Sequence, residues 1–289
     1  MKRKAAFLVL LAAVLWGSNG IFVKILSGKD LSGLEMTCSR LVISAVLDGI
    51  FVYIKDKRCF QIDREAFFYS FSIGLIGICG FLILYNICIG RVGMGVAGVL
   101  IYLMPVFVTA YSVLFKKERL TSVKILALVL NLVGCALVSG IASGGNFDLL
   151  GIVTGVLTAL CYAFNNIVLG DKLKDHPALT KLFYPAFSAG IISLTYLLLK
   201  SDIGRIVSVM TGDPKLLLTY FLWAVCCSLL PYYLFNVALS SLDLMSASLL
   251  STFEPVAAVL FGIFLFQEKI DLFGMIGVLF VLISLILVG

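Results

Sequence analysis

The sequence predicts an all-α integral membrane protein of ten transmembrane helices, arranged as two inverted five-helix repeats. Three observations carry that expectation. Apolar residues fill 61% of the 289 positions and charged residues 13%, about half the charge that a soluble domain carries. The apolar residues fall in runs of roughly 20, the length a helix needs to cross the hydrocarbon core. Rare polar residues also recur at a fixed separation: at an offset of 150, Asn86 aligns with Asn236, Ala97 with Ala247, Pro105 with Pro255 and Glu118 with Glu268.

Ten runs fit a span, near 5–26, 34–54, 66–89, 94–115, 121–140, 148–169, 180–200, 216–239, 244–266 and 270–288. Only helices and closed barrels satisfy their backbone groups in lipid, and the alternation that a barrel strand requires is absent. Met1-Lys2-Arg3-Lys4 before an apolar run has the look of a signal peptide, but nine further apolar runs follow, so it reads as the first span. With the N-terminus inside, 14 Lys and Arg fall in inner loops and 8 in outer ones, the direction of the positive-inside rule. Both termini are then cytoplasmic, in a plasma or inner membrane. The imbalance lies in the first half, 11 against 4. Between Ser201 and Lys215, Ile203, Ile206, Val207 and Met210 suit a short interfacial helix.

Residues 141–147 are small and lack Lys and Arg. They read as a connecting loop between a first repeat, 1–140, and a second, 148–289. Each repeat holds five spans, an odd number, so the second copy must enter the membrane upside down. That is the inverted-repeat plan of secondary transporters, whose solute sites lie near the midplane between the halves. At an offset of 146, Trp16-x-x-Asn19 aligns with Tyr162-x-x-Asn165.

Composition also excludes. The net charge of +6 belongs to loops at an anionic membrane surface, and nucleic acid is not an expected partner. No CxxC pair occurs, and His176 is the single histidine, so neither a metal site nor a cofactor is expected. The eight cysteines read as small apolar residues. There is no GxxxxGK[ST] loop, no HExxH and no pair of mid-membrane aspartates, which argues against an ATPase or an intramembrane enzyme.

Trp16-Gly17-Ser18-Asn19 with Lys24, Arg40 opening the second span, and Pro105 followed by Glu118-Arg119-Leu120-Thr121 resemble the EamA-type transporters of the drug/metabolite transporter superfamily. Glu254-Pro255-Val256 with Glu268-Lys269-Ile270 repeats the pattern. The resemblance covers nearly the whole chain. It implies a ten-helix carrier of small metabolites, often an exporter of amino acids, without naming a substrate. One departure is that Met104 stands opposite Glu254, so the chain has no symmetric acidic pair there.

Ionisable groups in the bilayer cost about 2.5–3.5 kcal/mol at a helix centre, so each needs a reason. Glu254 sits mid-span beside Pro255, which frees the carbonyl of Ser251; Pro105 does the same to Ile101, with Tyr102 on nearly the same face. Glu254 either binds a substrate amine or a coupling proton, or bonds Ser251, Thr252 or a neighbouring helix and shapes a kink. Trp16 with Asn19, and Tyr162 with Asn165, offer an aromatic wall and an amide, the needs of a small amphipathic ligand; interhelical bonding is the alternative. Asn86 and Asn236 read as structural. Arg40 and Lys24 lie where snorkelling is cheap, and Glu118 and Glu268 suit helix N-termini. Asp48 suits a basic partner or the inner surface, and Tyr232-Tyr233 either the cavity or packing.

These readings converge on a carrier without enzymatic activity. It moves a small organic metabolite, an amino acid or similar zwitterion, by alternating access between the halves. The candidate substrate-binding residues are Trp16, Asn19, Tyr102, Tyr162, Asn165 and Glu254, with helix breaks at Pro105 and Pro255. The partners are the solute and the lipid bilayer; protons as a coupling ion and a homodimer stay open. An intramembrane enzyme, or a membrane protein that translocates lipids or drugs without metabolite specificity, is the alternative.

Overall fold

The structure is a computed structural model that describes residues 2–138, 148–267 and 271–288. Its helices are α1 (Lys2–Gly17), α2 (Asn19–Leu26), α3 (Gly33–Lys55), α4 (Arg64–Ser72), α5 (Phe81–Ile101), α6 (Met104–Lys116), α7 (Ser122–Val138) and α8 (Leu149–Ile167). After them come α9 (Ala178–Lys200), α10 (Ile203–Gly212), α11 (Pro214–Ala224), α12 (Leu230–Ala238), α13 (Leu244–Ser251), α14 (Glu254–Phe266) and α15 (Leu272–Val288). Wide π-type turns at Ile73–Gly80 and Val225–Leu229 join α4 to α5 and α11 to α12, and a third, Val168–Lys172, extends α8. Among the described residues there is no strand. The expected connecting loop at 141–147 lies outside them.

Among the described residues, seven helical stretches are long and apolar enough to cross a membrane. One of these, Arg64–Lys116, runs for 53 residues. A straight helix of that length would measure about 80 Å, more than twice the hydrocarbon thickness. It turns at Gly93, whose φ of 82° is the left-handed region that glycine enters without a Cβ clash. The outer surface is what lipid would face: Leu149, Leu199 and Ile286 are each at least 75% exposed, an arrangement that water would penalise. The interior instead collects small and hydroxylated residues such as Ser44, Thr158, Ser248 and Thr252, the composition of close helix packing in membranes.

Helices pair mostly across the chain's two halves. α3 packs on α9, α7 on α15, and α13 on α6; α1 packs on α12 and α14, while α8 packs on α5 and α6. Gly134 and Gly277 explain how α7 and α15 approach so closely, since a Cβ on either would lie within 2.8 Å of the other's carbonyl oxygen. Asn131, fully buried on α7, binds Thr252 and donates to Ser284 at 3.3 Å, tying α7 to the end of α13 and to α15.

Backbone features recur at the same offset of 150 as the sequence matches. Helices break at Tyr102 (φ −74°, ψ 7°) and at Thr252 (φ −73°, ψ 5°). Lys117 and Gln267 both end helices in the left-handed region at φ 54°. Asp63 and Asp213 both accept bonds from the first turns of the helices they precede.

One expectation is corrected. Glu118 does not cap the fifth apolar helix; α7 begins only at Ser122, and the hydroxyl of Thr121 accepts the Lys124 N–H instead. Glu268 lies outside the described residues, and Asp271 accepts the Gly274 N–H at the start of α15. The short helix expected between Ser201 and Lys215 is α10, and it rests on protein: Ile206 is buried, and Met210 packs with Leu26, Leu216 and Trp223.

Candidate functional site

The helix breaks put the site together. α5 stops at Ile101 and α6 restarts at Met104 with Pro105 in its first turn; α13 stops at Ser251 and α14 restarts at Glu254 with Pro255 in its first turn. Proline is well suited to a first turn, where its missing N–H costs nothing. α6 and α13 pack together, which brings the two breaks close in space.

Glu254 is half-buried and sits in the interior of the molecule, and its carboxylate makes no hydrogen bond or ion pair with any described residue. The kink-bonding alternative fails on geometry. Ser251 gives its hydroxyl proton to the Ser248 carbonyl at 2.7 Å, and Thr252 gives its own to Leu249 at 2.5 Å. Neither has a proton left for a carboxylate. Met104 at the opposing break is 1% exposed and apolar, so the site has one acidic side.

Four tyrosines lie near this carboxylate. The hydroxyls of Tyr85, Tyr102, Tyr162 and Tyr232 all lie within electrostatic range of Glu254. Each of the four is ringed by protein yet keeps accessible surface, the condition of a side chain on a cavity wall. Trp16 meets Tyr232 edge-on at 5.2 Å and Phe235 at 5.6 Å, while Tyr162 meets Phe81 at 5.6 Å. The Trp16 Nε1–H is buried without an acceptor among the described residues. Aromatic faces, phenols, an indole N–H and one carboxylate thus converge, the mixture a small polar-apolar solute requires.

The predicted residues divide. Trp16, Tyr102, Tyr162 and Glu254 meet in this cluster. Asn19 does not join them: the helix breaks at Ser18, and the exposed Asn19 accepts the Trp223 indole N–H at 2.7 Å. Asn165 is buried against Gly77, where a Cβ would lie 2.9 Å from its own; it is a packing contact between α8 and the turn after α4. Asn86 bonds back to the Leu82 carbonyl of its own helix. Both polar atoms of Asn236 are buried without a partner among the described residues.

Sequence reasoning missed Tyr85 and left Tyr232 undecided; tyrosine is too common near membrane surfaces for either to stand out. It also set Arg40 at a snorkelling position. In the structure the guanidinium turns inward, donating to the Ser228 hydroxyl at 3.1 Å with its carbon 4.9 Å from the Trp223 ring. Asp48, expected to find a base or the surface, is 1% exposed with Oδ1 lacking a partner among the described residues.

The fold is a helical membrane protein in which a carboxylate and aromatic side chains gather at two helix breaks. The chain belongs to the EamA-like transporter family, whose model matches twice, over residues 3–140 and 149–289. It is a multi-span membrane transporter, not an enzyme. Its relatives include an uncharacterized transporter of Archaeoglobus fulgidus, 27% identical over 93% of this chain and 90% of that one. The inner membrane transporter YicL of Salmonella typhimurium is 24% identical over 99% and 95%, and the transporter YwfM of Bacillus subtilis 24% over 97% and 92%. A protein of known crystal structure superposes with a TM-score of 0.84 at 13% identity, over 99% of this chain and 96% of that one, a likeness of fold.

Proposed function

We propose that the chain is a ten-helix secondary transporter of two inverted repeats, 1–140 and 148–289, joined by 141–147. It carries a small amine-bearing metabolite, an amino acid or similar zwitterion, by alternating access. Export from the cytoplasm, with both termini inside, is the direction the family resemblance implies. The single observation that carries the reading is Glu254: an interior carboxylate with accessible surface, no partner among the described residues, and four tyrosines and Trp16 around it. Such a group is expensive to keep unless a cation visits it.

The division into repeats has separate support. Exchanging first-half helices for their counterparts 150 residues on carries the α1–α12 contact onto α8–α5 and the α1–α14 contact onto α8–α6, and leaves α3–α9 and α7–α15 in place. The two matches of the family model fall on the same division. Counting Gly93 as a turn, with α7 and α15 as spans, gives ten crossings.

Solute flux in proteoliposomes tests the function. Saturable, competable uptake of amines or zwitterions is expected, and Glu254→Gln should cut it by roughly 10- to 100-fold, the loss of a charge-assisted hydrogen bond. Wild-type flux in that variant with unchanged pH dependence would refute both the amine-binding and the proton-coupling roles.

A further inference from the structure

The polar face of α3 is not used by the Glu254 cluster. Arg40, Ser44 and Asp48 stand at i, i+4 and i+8, one above the other on the helix. Each carries a buried polar atom without a partner among the described residues: Arg40 Nε, Ser44 Oγ and Asp48 Oδ1. Three orphaned groups in register on one face of a membrane helix are a costly arrangement.

Arg40 is the most informative of the three. Its guanidinium is held on one side by the Ser228 hydroxyl and on another by the Trp223 ring. Trp223 is itself fixed by its bond to Asn19 and by stacking on Phe22. These contacts orient the cation but bring no negative charge, and no described carboxylate pairs with it. Asp48 lies eight residues along the same helix, about 12 Å of rise away, too far for an ion pair. A buried cation without a counter-charge is unfavourable, so the missing anion comes from elsewhere. Tyr232 shows where: it is within electrostatic range of both Arg40 and Glu254, and Trp16 packs on its ring. The guanidinium and the Glu254 carboxylate therefore share Tyr232 as a neighbour.

We infer that Arg40, oriented by Ser228 and Trp223, is an anion subsite that takes the carboxylate of the transported solute. The inference rests on the transporter reading, with Glu254 receiving the amine. The Nε–H, buried and unpaired among the described residues, belongs to the fork by which arginine grips a carboxylate. Substrates of this carrier then hold both charges, spaced to reach from Arg40 to Glu254 along the wall formed by Trp16 and Tyr232.

The test compares the standard amino acids with their α-amides, which keep the amine and lose the anion, by thermal shift on purified protein and by proteoliposome flux. Wild type should prefer an acid to its amide by at least about tenfold. Arg40→Gln should erase that preference, binding acid and amide alike, while Arg40→Lys keeps part of it. Ser228→Ala, a milder change should Arg40→Gln fold poorly, should reduce the ratio without abolishing amide transport. An undiminished acid-to-amide ratio in these variants overturns the subsite. Wild-type protein that moves amides as well as acids also overturns it and leaves the carrier reading standing. A wild-type protein that moves no member of the panel counts against both.

Discussion

Asp48 shows how little a side chain's position in a span says about its surroundings. Its sequence places a carboxylate fifteen residues into α3 and nothing more; the structure seals it at 1% exposure with an oxygen unmet by any described donor. A carboxylate in that state costs stability whether it is ionised or not. Asp48→Asn, which keeps shape and removes charge, should therefore raise the apparent unfolding temperature in detergent by at least about 2 °C, the shift that roughly 1 kcal/mol gives in a chain of this size. A lower unfolding temperature would mean that Asp48 has a stabilising partner. Glu254 was legible because a lone acid beside proline in an apolar run has few explanations. The inward turn of Arg40 was not, since it depends on Ser228, 188 residues away. The same holds for Asn19, whose partner Trp223 is 204 residues distant.

Among the elements, the apolar runs located nearly every helix, and both predicted breaks, at Pro105 and Pro255, are present. What the runs could not give is the distance between helices. Gly17 ends α1 against the first turn of α14: a Cβ there would lie 2.8 Å from the Glu254 carbonyl oxygen, 2.8 Å from the Ala257 Cβ and 2.9 Å from the Ala258 nitrogen. Two of these three atoms are backbone and cannot rotate aside. Gly17→Ala should then push α14 away, costing about 1–3 kcal/mol and displacing Glu254 from its tyrosines, with transport falling alongside the unfolding temperature. Gly20, three residues later in α2, has open space within 4 Å. Gly20→Ala should be neutral or stabilise by about 0.4–1 kcal/mol. Equal losses in the two variants would refute the close-contact explanation. Glu118 illustrates the opposite failure of local reasoning: a carboxylate near a helix start suits the dipole, but Thr121 lies nearer and its hydroxyl takes the cap.

At the scale of the molecule, charged groups at helix ends join the first half of the chain to the second. Asp63 contacts His176 at 2.9 Å, Arg91 pairs with Asp148 at 2.7 Å, and Lys124 with Asp243 at 3.4 Å. None of these partnerships was legible, because each needs the tertiary packing. All three carboxyls are held below the usual aspartate range. The Ala66 N–H and then the His176 ring do so for Asp63, and the Arg91 guanidinium and then the Leu150 N–H for Asp148. At Asp243 burial works the other way, and is outweighed by the bonds from Ser246 and the charge of Lys124. A carboxyl whose value is depressed on folding adds stability that is complete above its unfolded value, near 3.9, and is lost as pH falls through the lower folded value. The protein should thus unfold at nearly constant temperature from pH 7 to about 5 on account of these groups, then lose stability below about pH 4. Because Asp63 and Asp148 are open to solvent, the acid loss should shrink in high salt. Thermal unfolding from pH 7 to 3, at low and high ionic strength, measures this. The double variant Asp63→Asn with Asp148→Asn should start less stable at neutral pH and fall less steeply in acid, so that its curve converges on that of wild type. Parallel curves across the whole range would show that these contacts contribute nothing to holding the two halves together.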